Sequence, residues 1–403
     1  MLQPLLQAAD LRGAAQLTTD AVVGLTSLVE AMHARIDTLP GLAPAPDERT
    51  RGITGLAYKS VRGVTRVVGG SVDALFGWLG PALATQGGPG RLPHAEREAI
   101  VAALNGVLGD HLAATGNPLA IPMSFRRGGR TLVLDRSAMR VALPDATPRL
   151  LLLLHGLCMN DLQWQRDGHD HGEALARDLG YTPVYLHYNT GLALSTNGRV
   201  LAQQLERLLD AWPVPVERLA LLGHSMGGLV ARSALFHGVQ AQRGGPRWPH
   251  RVDDLVCLGS PHQGAPLERA GQGVDVLLAA TPYAAPLARL GRLRSAGIND
   301  LRQGDIVSPE VAGRGTHRRA QVPLPASVRC FALAGALGAA DGGVKTALAG
   351  DGLVPVSSAL GQHREPARRL DFPTDRQAVV ADTGHLALLG SPAVYEHLQR
   401  WLR

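Results

Sequence analysis

The fold of this 403-residue chain is decided by residues 218–230, which read RLALLGHSMGGLV. Leu219–Leu222 form an apolar run that predicts a buried strand, and apolar residues recur at helical spacing after Gly228. A G-x-S-x-G motif between a strand and a helix is typical of a sharp turn that exposes a serine hydroxyl. Bulky side chains would collide beside such a turn, so the flanking glycines are expected. We therefore predict that Ser225 is a nucleophile at the carboxyl end of a strand.

Apolar strands alternate with amphipathic helices along the chain on both sides of this turn. The predicted strands are Leu150–Leu154, Thr182–His187, Arg218–Leu222, Leu255–Leu258, Arg329–Leu333 and Ala378–Ala381. The predicted helices include Gly172–Leu179, Arg199–Trp212 and Gly228–Phe236, and a hairpin of Leu119–Phe125 and Thr131–Asp135 precedes them. Continuous apolar strands separated by helices indicate a mostly parallel sheet with helices on both faces. The predicted fold class is α/β.

A second signal lies upstream, where Leu150–Leu154 runs directly into His155-Gly156-Leu157. Attack of a serine on a carbonyl group creates an oxyanion that needs two backbone N–H donors. One donor is expected from Met226, the residue after the serine, and the other from a loop after an earlier strand. The spacing indicates the N–H of Leu157 as that second donor.

Three motifs in this order resemble those of bacterial lipases and esterases of the α/β-hydrolase superfamily, and also those of the related inositol-deacylase-like lipases. They are HGL at 155–157, GHSMGG at 223–228 and GSPHQG at 259–264. The resemblance covers residues from about 119 to 403. It implies an α/β-hydrolase fold, an acid in the GDGLVP run at 350–355 and a histidine in the TGHL run at 383–386. It thus implies a catalytic triad of Ser225, Asp351 and His385.

The chemistry agrees with this assignment, because a serine hydroxyl needs an imidazole to take its proton and a carboxylate to orient that imidazole. His385 follows the final strand and precedes the C-terminal helix, and His363 is the alternative base. Asp341 lies nearer the preceding strand and competes with Asp351 as the acid. His224, beside the nucleophile, is expected to pack against the turn or to orient it.

The expected activity is hydrolysis of a carboxylic ester through an acyl-enzyme, with no metal and no organic cofactor. A polyhydroxyalkanoate depolymerase, a thioesterase and a catalytically silent lipid-binding or scaffold module remain alternatives. A polar turn is preferred over a metal site for His169-Asp170-His171, because the segment lacks the spacing of a known metal site. The sequence assigns no substrate-binding residues. The expected partner is an ester or lipid substrate, with a peripheral contact to a membrane or to a lipid or polyester particle as a further expectation.

Three regions are predicted: an N-terminal helical extension at 1–115, a hydrolase domain at 116–403 and a cap or lid insertion at about 261–326. The insertion is too long for a plain connection and is rich in proline. In the extension, an apolar stripe from Val61 to Leu79 is expected to dock on the hydrolase domain, with a membrane surface as the alternative. A Gly/Pro-rich linker is expected at Gln86–Pro93.

Composition excludes some classes of protein. The net charge is +6, but the basic residues are scattered and aromatic residues make up only 4%, so we expect no nucleic-acid partner. Cys158, Cys257 and Cys330 lack a metal-ligand spacing; buried free thiols are expected, with a Cys257–Cys330 disulfide as the alternative. No secretory signal or membrane-spanning run is recognised, and a cytoplasmic or peripheral location is expected.

Overall fold

The computed structural model describes residues 94–240, 247–264, 295–308, 322–338 and 350–403. Their strands are β1 (Ser124–Arg127), β2 (Arg130–Thr131), β3 (Arg149–Leu154), β4 (Thr182–His187), β5 (Arg218–His224), β6 (Val252–Leu258), β7 (Arg329–Gly335) and β8 (Gln377–Val380). They form one sheet in the order β2-β1-β4-β3-β5-β6-β7-β8. Strands β1 and β2 pair antiparallel, β1 is antiparallel to β4, and all other pairs are parallel. The predicted mostly parallel sheet is confirmed.

Helices of the described residues flank this sheet. They are α1 (His94–Ala114), α2 (Arg136–Ala142), α3 (His171–Leu179), α4 (Leu194–Ala211), α5 (Met226–Gln240), α6 (Ala296–Gln303), α7 (Val356–Ala359) and α8 (Pro392–Trp401). Helix α4 packs on α5, and α3 packs on α8. Leu151 and Leu153 of β3 share a buried cluster with Leu175 of α3 and Leu398 of α8. Because side chains alternate along a strand, the intervening leucines of β3 point to the other face, which explains why this strand is apolar throughout.

The predicted hairpin is present but shorter than the sequence suggested. The first strand begins at Ser124 rather than at Leu119, and the second ends at Thr131. Pro122 has no N–H group to donate to a neighbouring strand. At the other end, the Asp135 carboxylate accepts the N–H groups of Ser137 and Ala138 and so begins helix α2.

The chain divides into two compact units. One comprises Glu98–Ala113 and Ala120–Arg403, and the other comprises Met1–Arg97 and Ala114–Leu119. The predicted stripe at Val61–Leu79 and the linker at Gln86–Pro93 lie outside the described residues, as do positions 265–294 and 309–321 of the predicted cap. The division at residue 115 and the cap at 261–326 remain predictions. None of the helices in the described ranges has both the length and the hydropathy needed to span a bilayer.

Candidate active site

Ser225 lies in the turn between β5 and α5, and its side chain is 2% exposed. Its φ is +54°, a left-handed conformation that costs a residue other than glycine about 1–3 kcal/mol. The turn is held because the Ser225 N–H donates to Leu258 O at 2.8 Å and the Gly228 N–H donates to Ser225 O at 3.2 Å. The surrounding sheet therefore supports the strained backbone of this serine.

The glycines around Ser225 are required by close backbone contacts. A Cβ on Gly223 would lie 2.5 Å from Gly228 Cα, and one on Gly227 would overlap the carbonyl oxygen of Leu154. Any larger residue at either position would separate the helix from the strand ends. These contacts are the physical basis for the glycine positions of the sequence motif.

His385 and Asp351 form a buried hydrogen-bonded pair. The Nδ1–H of His385 donates to Asp351 Oδ2 at 2.7 Å, and its backbone N–H donates to Asp351 O at 3.0 Å. The other carboxylate oxygen, Oδ1, accepts the N–H groups of Leu353 at 3.0 Å and Val354 at 2.8 Å. Burial alone would raise the pKa of Asp351, but the imidazole and these N–H groups outweigh it and the pKa is lowered. The carboxylate is therefore ionised at neutral pH.

The second ring nitrogen of His385 is buried and has no hydrogen-bond partner among the described residues. Since Nδ1 carries the proton of the hydrogen bond to Asp351, Nε2 of the neutral ring presents a lone pair. A Cβ on Gly259, at the end of β6, would lie 3.1 Å from Asp351 Oδ2 and 3.3 Å from His385 Cε1. Glycine at this position thus lets the β6 end approach the pair closely.

His224 connects the serine turn to the histidine loop. Its Nε2–H donates to the carbonyl oxygen of His385 at 3.0 Å, and the two ring centroids are 4.8 Å apart. Burial, reinforced by the nearby His385, lowers the pKa of His224 to about 3, so this ring is neutral at physiological pH. The sequence suggested that His224 packs against the turn; the hydrogen bond to His385 was not foreseen, because it joins residues 161 positions apart.

The loop after β3 reaches the serine turn. A Cβ on Gly156 would lie 3.2 Å from Ser225 Cβ and 3.2 Å from His224 Nδ1. Among the described residues, no hydrogen bond outside the helices and strands uses the N–H of Leu157 or that of Met226. Their role as oxyanion donors remains a prediction.

The residues considered as alternatives for the catalytic base, for the acid and for a metal site are His363, Asp341 and the segment around Asp170. His363 lies in a surface turn, where its Nδ1 accepts the N–H of Glu365 at 3.0 Å. Asp341 lies outside the described residues. Asp170 accepts the N–H groups of Gly172 and Glu173 and so caps α3. No group of three metal-ligating side chains occurs within the described ranges.

The three cysteines are buried free thiols, so the Cys257–Cys330 disulfide is not formed. Cys257 and Cys330 lie on the adjacent strands β6 and β7, where Cys257 pairs with Ala332 and Cys330 with Leu255. Burial raises the pKa of both thiols to about 12, so neither is a reactive thiolate at neutral pH.

This chain is similar to one family of known proteins and to several solved structures. Residues 145–299 match the family model described as the PGAP1-like alpha/beta domain. No curated protein matches the chain. A lipase of Bacillus licheniformis in its mature form is 20% identical over 63% of this chain and 91% of its own, with a TM-score of 0.42. Lipase 1 of Pelosinus fermentans is 13% identical over 64% and 98%, with a TM-score of 0.39. The esterase Pf2001 of Pyrococcus furiosus is 15% identical over 64% and 85%, with a TM-score of 0.36.

The predicted α/β-hydrolase fold is confirmed by the sheet and the PGAP1-like domain match. The resemblance stated from the sequence motifs is matched by the similarity of residues 145–299 to the PGAP1-like alpha/beta domain. The roles of individual residues remain proposals.

Proposed function

We propose that this chain is a serine carboxylic-ester hydrolase that works through an acyl-enzyme on Ser225. One observation supports the proposal: His385 donates its Nδ1–H to Asp351 Oδ2 at 2.7 Å, and its buried Nε2 has no hydrogen-bond partner among the described residues. The hydrogen bond from His224 holds this imidazole close to the serine turn. An imidazole with an unprotonated Nε2 can act as a general base and take the proton of a nucleophile.

In the first step, Ser225 Oγ attacks the ester carbonyl carbon while His385 Nε2 takes the hydroxyl proton. The carbonyl oxygen becomes an oxyanion and accepts the N–H groups of Leu157 and Met226. The C–O bond to the alcohol then breaks, and the imidazolium gives its proton to the leaving oxygen. In the second step, His385 takes a proton from water, the hydroxide attacks the acyl-enzyme, and the acid leaves as Ser225 regains its proton.

The charges of the site suit this sequence of steps. The imidazolium that forms on His385 lies against an Asp351 carboxylate whose pKa is lowered, so a negative charge is present when the positive one develops. The pKa of His224 is lowered by burial, so no second positive charge is added beside His385. Asp351 would therefore fix the tautomer of the neutral imidazole and stabilise the imidazolium that forms from it.

The proposal extends to the substrate and to the rest of the chain. A cap at 261–326 would contact the acyl or alcohol portion of the ester, and the apolar stripe at Val61–Leu79 would dock on the hydrolase domain or on a lipid surface. Binding of long-chain esters or of lipid or polyester particles would follow from these two regions. No metal or organic cofactor takes part in the proposed steps.

Labelling with a fluorophosphonate tests the proposal, because this reagent reacts with an activated serine. The wild-type chain should be labelled at Ser225 and should hydrolyse nitrophenyl esters. Ser225→Ala should remain folded and lose both properties, with turnover reduced by several orders of magnitude. Ser357→Ala is the matched control, because Ser357 is an exposed serine near the Asp351 loop.

A series of nitrophenyl esters, thioesters and hydroxybutyrate oligomers would then define the substrate class. Absence of labelling in folded wild-type protein would exclude a serine hydrolase and favour a binding module. Faster turnover of thioesters or oligomers than of simple esters would mean that the substrate is a thioester or a polyester. The proposed triad would be unaffected by that result.

A further inference from the structure

Helix α1 and the loop after β3 meet at Gly106 and Cys158. A Cβ on Gly106 would overlap Cys158 Sγ and lie 3.1 Å from both Cα and N of Cys158. The thiol is directed at the carbonyl oxygen of Ala103, 3.8 Å away. Cys158 has a φ of +59°, which is uncommon for a residue other than glycine. The helix backbone thus lies directly on the loop at a strained residue.

The chain after β4 provides a second support for this loop. The Cys158 N–H donates to Thr190 Oγ1 at 3.2 Å. On the other side of Leu157, Tyr188 donates its hydroxyl proton to the carbonyl oxygen of His155 at 2.8 Å, and the two rings stack with centroids 4.4 Å apart. Leu157 therefore lies between two residues whose backbones are held in place.

Helix α1 is itself fixed by two other segments. Asn189 donates a side-chain N–H to the carbonyl oxygen of Gly109 at 2.8 Å. Ser295 donates its hydroxyl proton to the carbonyl oxygen of Gly106 at 2.7 Å, and the N–H of Ala296 donates to Asp110 Oδ2 at 2.9 Å. The helix is therefore a fixed surface against which the loop rests.

We propose that α1, through the contact between Gly106 and Cys158, sets the position of the Leu157 N–H in the oxyanion hole. Cys158 is then a positioning residue. This inference rests on the proposed function, because the Leu157 N–H binds an oxyanion only if Ser225 attacks a carbonyl group. Oxyanion donors act at about 2.7–3.1 Å, and losing one costs about 100- to 1000-fold in kcat, so a displaced donor should cost part of that factor.

Gly106→Ala tests the proposal, because the new Cβ would push Cys158 and with it the Leu157 peptide. We expect kcat to fall about 10- to 100-fold while KM changes less than about twofold, since the contact strengthens only in the transition state. The affinity for a trifluoromethyl ketone, which forms a tetrahedral adduct with the serine, should fall by a similar factor.

Gly238→Ala in α5 is the matched control. Its Cβ would lie 2.7 Å from both Pro249 Cγ and Trp248 Cζ2, in the segment that precedes β6. This variant should lose stability to a similar extent but keep kcat within about threefold of the wild type. Equal losses of kcat in both variants, or no loss in Gly106→Ala, would overturn the proposal.

Cys158→Ala in the Gly106→Ala background removes the sulfur atom that the new Cβ overlaps, and it should bring kcat back up to the level of Cys158→Ala alone. If Gly106→Ala does not fold, Cys158→Ala alone takes its place, and its kcat should fall about 3- to 10-fold with KM unchanged. Full kcat and full affinity for the ketone in that variant would overturn the proposal. Failure of the proposed function is distinct, because the wild-type chain would then show neither labelling nor ester hydrolysis.

Discussion

Acidification should destabilise this fold mainly through three buried histidines. Burial lowers the pKa of His155 and His224 to about 3 and that of His171 to about 4, from an ordinary value of 6.5. Above pH 6.5, the three rings are neutral in both the folded and the unfolded chain. Below it, the unfolded chain binds protons that the folded chain does not, so the free energy of unfolding falls as the pH falls.

The size of the effect follows from the three pKa values. Between about pH 7.5 and pH 5, each histidine should remove about 2 kcal/mol, or about 6 kcal/mol in all. Burial raises the pKa of Asp300 to about 6, which opposes this loss and returns about 1 kcal/mol. The net loss of about 5 kcal/mol is a large part of the usual 5–15 kcal/mol of stability. His262, whose pKa burial lowers well below 6.5, adds to the loss.

Urea unfolding followed by the fluorescence of the buried Trp164, Trp212 and Trp248 measures this loss. With a slope of about 3 kcal/mol/M, the midpoint should move down by about 1.5–2 M between the two pH values. His155→Phe should remove about a third of the pH dependence, and the exposed His250→Phe is the control. A midpoint that does not move with pH would refute the reasoning, because buried neutral histidines cannot escape this linkage.

Two further predictions concern the site. Asp351→Asn should lower kcat at least about 1000-fold while the chain stays folded, because an amide neither fixes the tautomer of His385 nor stabilises its imidazolium. Nitrophenyl-ester kinetics measure this effect, and a loss of kcat below tenfold would indicate Asp341 as the acid. His224→Leu should lower kcat about 10-fold with KM unchanged, since the His385 carbonyl loses its donor, whereas His224→Gln should retain more activity because its amide can still donate. Equal losses of kcat in the two variants would contradict a role of His224 through that hydrogen bond.

The order of the main elements was predictable because each carries a local signal. The leucines of β3 and the apolar residues of β5 mark buried strands, and the glycines around Ser225 mark the turn. The pairing of His385 with Asp351 was implied by the resemblance of the GDGLVP and TGHL runs to those of lipases and esterases, with Asp341 and His363 left open as alternatives.

Other features leave no local trace in the sequence. The contact of Gly106 with Cys158 joins a helix and a loop about fifty residues apart through backbone and sulfur atoms, and neither residue type predicts it. The left-handed conformation of Cys158 is a tertiary constraint, since cysteine has no preference for it. The hairpin was predicted too long because β propensity does not register that Asp135 begins a helix.

The short outer strands of the sheet have a consequence for solubility. The sheet of the described residues ends in β2, with two residues, and β8, with four. Such edges offer few free N–H and C=O groups to a neighbouring molecule, whereas the leucine-rich β3 is covered on both sides by β4 and β5. Self-association through strands therefore requires the sheet to open first. Acid conditions that unfold the chain should for this reason also promote its self-association through β3.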